Sequence, residues 1–179
     1  MAITREERQL ELIHEFTRLA EEAGVPCWLR GGWALDLLLG RVTRTHEDID
    51  LFIWAADASR LLPKLSERGY EEIGGPPREQ QRNLLKDGEE FHVTLLEENE
   101  LGVVTAGGRW ADFPWPKGML DGPIGQIGDV RCRVISAEVQ LWAKEEAPHA
   151  LSHGRRDRDY GDIALLRQAV AAEERHLCR

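Results

Sequence analysis

Cysteine is scarce in this chain of 179 residues, with only Cys27, Cys132 and Cys178 present, far apart and in no CxxC pair. An odd, scattered count excludes a disulfide framework and a structural zinc site. It sets the expectation of a reduced, cytoplasmic protein with packed or incidental thiols. Long apolar runs are also missing. The longest candidate, Trp33 to Leu39, is interrupted by Asp36, well short of the ~18–20 residues of a membrane span. The opening Met-Ala-Ile-Thr-Arg-Glu-Glu-Arg holds no apolar signal stretch. Positive charge is in deficit: 23 Lys and Arg against 32 Asp and Glu leave a net charge of −9. Such a chain is a poor match for phosphate backbones, so no nucleic-acid partner is expected. No membrane partner is expected either, and the oligomeric state is left open. The acidic field suits a cationic small molecule. A hydrophobic share of 42% excludes a wholly disordered chain. The length lets one domain bury a core without a disulfide or metal staple.

Thr4-Arg-Glu-Glu7 has the form of a capping box. Leu10, Ile13, Phe16, Ala20 and Ala23 follow at helical spacing, and Gly24 and Pro26 stop that helix. Cys27-Trp-Leu reads as a buried strand and Trp33 to Leu39 as a helix closed by Gly40. Asp48 to Trp54 is the clearest strand. Asp57 is a candidate cap for a helix to about Arg68, with Pro63 forcing a late start or a bend. Tyr70 to Ile73 reads as a strand. Asp87-Gly88 and Gly128-Asp129 mark two hairpins, and residues 97–118 read as irregular. Ser136 caps a helix to about Glu146, Pro148 breaks it, and a last helix runs from about Asp157 to Glu174. The order predicts an α+β (mixed α/β) fold: a mixed, twisted sheet, helices on one side, and a C-terminal helical pair. The expected division is a core over 1–135 and a helical segment over 136–179 packed on it as one compact domain. A hinge is expected near 147–154.

Two features carry chemistry. Arg30-Gly31-Gly32-Trp33 lies between a strand and a helix. There the glycines admit a close ligand, and the helix N-terminus offers free N–H groups to a phosphate. Alone, such a diglycine is more often a tight turn. Asp48-Ile49-Asp50 lies on a strand, so its two carboxylates share one side while Ile49, Leu51 and Ile53 face the core. Paired aspartates repel, and a divalent cation would relieve them; Mg²⁺ is usually held by one or two carboxylates plus substrate phosphates. Alone, the pair reads equally well as a solvated strand edge. The two features are 16 residues apart, from Gly32 to Asp48.

The fuller string carries a resemblance. Leu29-Arg-Gly-Gly-Trp-Ala-Leu-Asp36, Leu39-Gly40-Arg41 and Thr43-Arg44-Thr45-His46-Glu47-Asp48-Ile49-Asp50-Leu51 together resemble the nucleotidyltransferase superfamily. Within it they are most similar to the antibiotic-modifying branch of aminoglycoside 2″- and lincosamide nucleotidyltransferases. A looser likeness follows in Glu138 to Lys144 and in Arg156-Asp-Arg-Asp159-Tyr-Gly-Asp162. The resemblance implies a polymerase-β-like palm. It also implies Mg²⁺, one ion or two, held by Asp48 and Asp50. A nucleoside triphosphate, ATP first among them, would be bound by Gly31, Gly32, Arg44, Lys144 and Arg156. A hydroxyl of a cationic antibiotic would attack the α-phosphorus and expel pyrophosphate.

That branch also has a third acid in a short strand, and here the sequence departs from it. The matching place is Phe91-His92-Val93-Thr94, which puts His92 where an aspartate is expected. Glu90, His92 and Thr94 share one strand face. Three readings stay open: Glu90 is the base, His92 is the base, or the acid is lost and the protein is a weak or altered enzyme. The alternatives to antibiotic transfer are transfer to another metabolite or a protein, and a degenerate member that binds nucleotide or ligand without transfer. His46 and Arg44 either touch phosphate or fix their loop, and Asp36 is expected to fix loop 40–46. Arg155, Arg156 and Arg158 read equally as a solvated face paired with Asp157, Asp159 and Asp162. Asp87, Glu89, Glu90, Glu97, Glu98 and Glu100 form a possible acidic rim for a polyamine acceptor, favouring an aminoglycoside over a lincosamide. Trp110 and Trp115 either wall the acceptor or cover the core.

Overall fold

The computed structural model describes residues 3–108, 111–146 and 157–177, with side chains to Ala172. Trp110, Pro148, Arg155, Arg156, Cys178 and the expected hinge lie outside the described residues. Helix α1 (Arg5–Glu22) starts at the expected box: Thr4 accepts from the Glu7 amide and the Glu7 side chain accepts from the Thr4 amide. Strand β1 (Cys27–Arg30) runs into α2 (Gly31–Leu39), which ends at Gly40 in the left-handed region. After β2 (Asp48–Trp54) a short 3-10 turn precedes α3 (Ala58–Glu67). Pro63 is accommodated inside α3, which starts directly after Asp57 rather than late. Asp57 occupies the cap position without capping, because its carboxylate turns to Arg60 instead.

Next come β3 (Glu71–Ile73), β4 (Gln81–Lys86), β5 (Glu89–Glu98) and β6 (Val104–Ala106). They are followed by β7 (Ile124–Ile127), β8 (Val130–Val134), α4 (Ala137–Glu145) and α5 (Asp157–Leu177). The β4–β5 turn has φ of 51° at Asp87 and 80° at Gly88, the backbone that an Asp-Gly pair adopts in a tight hairpin. Strand β6 corrects the irregular reading of 97–118. It has three residues, follows a turn in which the Gly102 amide donates to the Asn99 carbonyl at 2.9 Å, and pairs with Leu96–Glu98 of β5.

The strands form one mixed sheet in the order β3-β4-β5-β2-β1-β8-β7, with β6 alongside β5. β2 and β5 are parallel, as are β1 and β8. Side-chain alternation divides its two faces. Cys27, Leu29, Ile49, Leu51, Ile53, Phe91 and Val93 pack with α1, α2 and α3 in the main core. Trp28, Phe52 and Leu96 point the other way and join Met119, Ile135 and Val139 of α4 in a smaller cluster. Polar residues of the same strands extend that second face beyond the cluster. Among the described residues no helix is long and apolar enough to cross a membrane.

Candidate active site

Register builds the site. Antiparallel pairing sets Arg30 of β1 against Asp50 of β2. Parallel pairing sets Asp48 against Glu90 and Asp50 against His92 of β5. Antiparallel pairing then sets His92 against Asn83 of β4. Directly paired residues share a face, so Arg30, Asp50, His92 and Asn83 form a row across four strands. Asp48 and Glu90 form the row beside it. Ile49 and Leu51 are fully buried on the opposite face, as alternation requires. The structure thus brings together the four residues expected to do chemistry.

The contacts are close. His92 Nδ1 is 3.6 Å from Asp48 Oδ2 and 3.6 Å from Asp50 Oδ1, and its Nε2 is 3.5 Å from Glu90 Oε2. Arg30 Nη2 is 3.0 Å from Asp50 Oδ1. The Asp50 carboxylate raises the His92 pKa above its ordinary value, outweighing burial, with Asp48 adding to the effect. Burial raises the Asp48 pKa, and the like charge of Asp50 raises it further.

The diglycine turn lies against this patch. Gly31 has φ of +71°, and a Cβ there would sit 2.9 Å from Asp50 Oδ2. A side chain at 31 would therefore meet both a left-handed backbone and a carboxylate. Gly31→Ala is expected to cost about 1–2 kcal/mol and to lower Tm by about 4 °C in a thermal melt. An unchanged Tm would contradict the close approach. A Cβ at Gly32 would sit 2.4 Å from His46 Nδ1 and 2.6 Å from Arg44 Nη2. Arg30, at the α2 N-cap position, supplies no side-chain cap, so that helix start keeps the electropositive character that suits a phosphate.

Asp36 fixes loop 40–46, as expected. It accepts from the Thr43 amide at 3.1 Å, and its Oδ2 is 2.7 Å from His46 Nε2. His46 is buried, with its ring centroid 4.4 Å from that of Trp33, so it fixes the loop. Arg44 donates to Asp162 of α5 at 3.0 and 2.8 Å. Lys144 of α4 is 2.8 Å from Asp162 and 3.1 Å from Asp159. Arg44 and Lys144, two of the three cations expected at phosphate, are thus engaged by acids of α5. Burial alone would raise the Asp162 pKa, but Arg44 and Lys144 outweigh it and hold it at about 2.

The acidic rim needs correction. Glu89 is buried and bound by Arg5 at 2.9 Å and by Gln9 at 2.7 Å. Glu90 and Glu97 lie seven residues apart on one strand, roughly 23 Å at the usual rise. Glu90 therefore joins the Asp pair, and the 97–100 group lies at the far end of β5. Trp115 covers the second core cluster, with its ring 5.1 Å from Phe52 and 6.0 Å from Trp142. Beside it, a cavity of about 910 Å³ is lined by Asp121, Glu138 and Trp142 among others.

The sequence did not single out the role of Arg30, and it left Arg158, with Asp162 as a partner, between triphosphate contact and a solvated face. Arg30 was only a letter before the diglycine, and no local signal reveals its partner across the β1–β2 pairing. Asp162 was read with a solvated face but is buried. Arg158, read the same way, is 2.7 Å from Glu47 and adds positive potential at Asp48. The loose Arg158–Asp159–Asp162 pattern was the available signal for the last two.

The family model "Aminoglycoside-2''-adenylyltransferase" matches residues 12–166. A stretch of 43 residues is 56% identical to a 2''-aminoglycoside nucleotidyltransferase of Klebsiella pneumoniae, covering 24% of each chain. Another of 53 residues is 40% identical to a lincosamide resistance protein of Staphylococcus haemolyticus, covering 30% of this chain and 33% of that one. The matched stretches thus span a third or less of those relatives. Over its whole length the fold resembles ANT(2'')-Ia in complex with adenylyl-2''-tobramycin, with TM-score 0.71 and 23% identity over 95% of this chain and 94% of that one. It also resembles the lincomycin-bound lincosamide adenylyltransferase LnuA, with TM-score 0.67 and 23% identity over 94% and 99%.

Proposed function

Since this chain belongs to the aminoglycoside-2''-adenylyltransferase family, we propose that it transfers a nucleoside monophosphate, AMP from ATP, to a hydroxyl of a cationic antibiotic, an aminoglycoside before a lincosamide. The observation that carries the reading is the shared face of Asp48, Asp50, Glu90 and His92 beside the diglycine turn. Two hard carboxylates on one strand fit Mg²⁺ held jointly with substrate phosphates. Asp48 and Asp50 would hold it. When bound, it supplies charge neutralisation at the triphosphate and at the leaving pyrophosphate.

The chain's own groups account for the rest. Arg30 and Arg158 set positive potential beside the two acids, and the start of α2 faces the phosphates. Glu90 takes the proton from the acceptor hydroxyl. The hydroxyl oxygen bonds to the α-phosphorus as the bond to the β-phosphate oxygen breaks, and pyrophosphate carries away that electron pair. Glu90 is preferred to His92 as the base. His92 faces three carboxylates that favour its imidazolium, and an imidazolium has no lone pair to accept a proton. The net charge of −9 favours a polyamine acceptor.

The test is incubation with Mg-ATP and a mixed panel of aminoglycosides and lincosamides, followed by mass spectrometry. The expected result is an adduct gaining one AMP. ATP binding with no adduct on any panel member would instead favour a member that binds nucleotide without transfer. Glu90→Gln is expected to lower kcat about 100-fold with the acceptor KM unchanged. Full turnover in that variant, with loss in His92→Ala, would move the base to His92.

A further inference from the structure

We propose that Arg30 is a resident cation that takes the place of a second divalent ion, so that this chain loads a single ion with its nucleotide. The inference rests on the nucleotidyl-transfer reading above. Two-ion sites set their metals about 3.5–4 Å apart and clamp both the attacking and the leaving oxygen. A carboxylate that bridges such a pair must offer both of its oxygens. Here one oxygen of Asp50 is already engaged. Its Oδ1 is 3.0 Å from Arg30 Nη2 and 3.6 Å from His92 Nδ1. Its Oδ2 lies beside the diglycine turn, where a Cβ at 31 would come within 2.9 Å, and is the oxygen left to an ion.

Arg30 is also pinned. Strand pairing fixes its backbone opposite Asp50. Its Nη2 lies 3.4 Å from Thr94 Oγ1, which in turn donates to Gln81 at 3.1 Å. Its guanidinium carbon lies 5.1 Å from the Phe52 ring centroid, a cation–π distance. Thr94 and Gln81 are both buried, so the pocket that holds the guanidinium is rigid. A guanidinium stays charged at every working pH, so Arg30 delivers a constant positive charge where a second ion would otherwise sit. Asp48 and the Oδ2 of Asp50 are then left to hold a single ion, with phosphate oxygens completing its shell.

Equilibrium dialysis of the intact chain against Mn²⁺ and α,β-methylene-ATP tests this, counting manganese and nucleotide retained per chain. One Mn²⁺ per bound nucleotide is expected for the wild type and for Arg30→Lys. Two are expected for Arg30→Met. Two in the wild type, or one in a folded Arg30→Met, would overturn the proposal. The wild-type count stands whether or not the methionine variant folds. Absence of any nucleotide-dependent manganese uptake by the wild type would overturn the nucleotidyl-transfer reading and the proposal with it. A wild-type count of two with nucleotide bound overturns only the proposal.

Discussion

Asp50→Asn is expected to leave a folded protein whose turnover falls by a factor of about 1,000 or more. That corresponds to about 4 kcal/mol of lost transition-state stabilisation, the range in which removing charge stabilisation at a transferring phosphoryl group falls. The substitution keeps the side-chain volume and removes only the charge. Arg30 then faces an amide 3.0 Å away in place of a carboxylate. His92 loses the partner that most raises its pKa, so its titration moves down. Asp48 loses the like charge beside it, so its own pKa falls back toward the ordinary carboxylate value. An NMR titration of the His92 ring would show the first shift and turnover assays the loss of activity. Activity within tenfold of wild type would remove Asp50 from the chemistry.

Asp162→Asn is expected to have the largest effect on stability. The carboxylate is buried and holds both Arg44 and Lys144. Its loss leaves Lys144 with Asp159 and deprives Arg44 of its two-pronged partner. Breaking one side of a buried ion pair costs about 3 kcal/mol, or about 9 °C in Tm for a chain of this size. The same residue gives a pH dependence of defined sign. Its folded pKa of about 2 lies below the ordinary ~3.9 of an unfolded aspartate. Its contribution is therefore complete above about pH 4 and is lost as pH falls toward 2, a loss of about 2 kcal/mol. Acid unfolding of the wild type should show that extra slope and Asp162→Asn should lack it. A variant that melts like the wild type would show that α5 is not anchored through this carboxylate.

The elements that the sequence made legible were those with local physical signals. The capping box at Thr4, the left-handed stops at Gly24 and Gly40 and the Asp-Gly hairpin at 87–88 each declare themselves within a few residues. Alternation along 48–54 did the same for the two acids. The inward turn of Glu89 had no such signal. Glu89 stands in a run of acids and differs from Glu90 only in which face of β5 it occupies. Its partners Arg5, Arg8 and Gln9 are eighty or more residues earlier.

By itself the sequence determined the alternation of strand and helix, the pairing of two carboxylates on one strand side, and a diglycine poised at a helix start. Periodicity, capping and glycine backbone freedom are properties of neighbouring residues. Only the tertiary structure decided what stands beside those carboxylates. The β1–β2 register brings Arg30 to Asp50, the β2–β5 register brings Glu90 and His92 to the pair, and α5 turns Asp162 onto Arg44 and Lys144. Register and helix docking follow from burying apolar faces across the whole fold, and a one-residue slip in either strand pairing would have assembled a different set of charges.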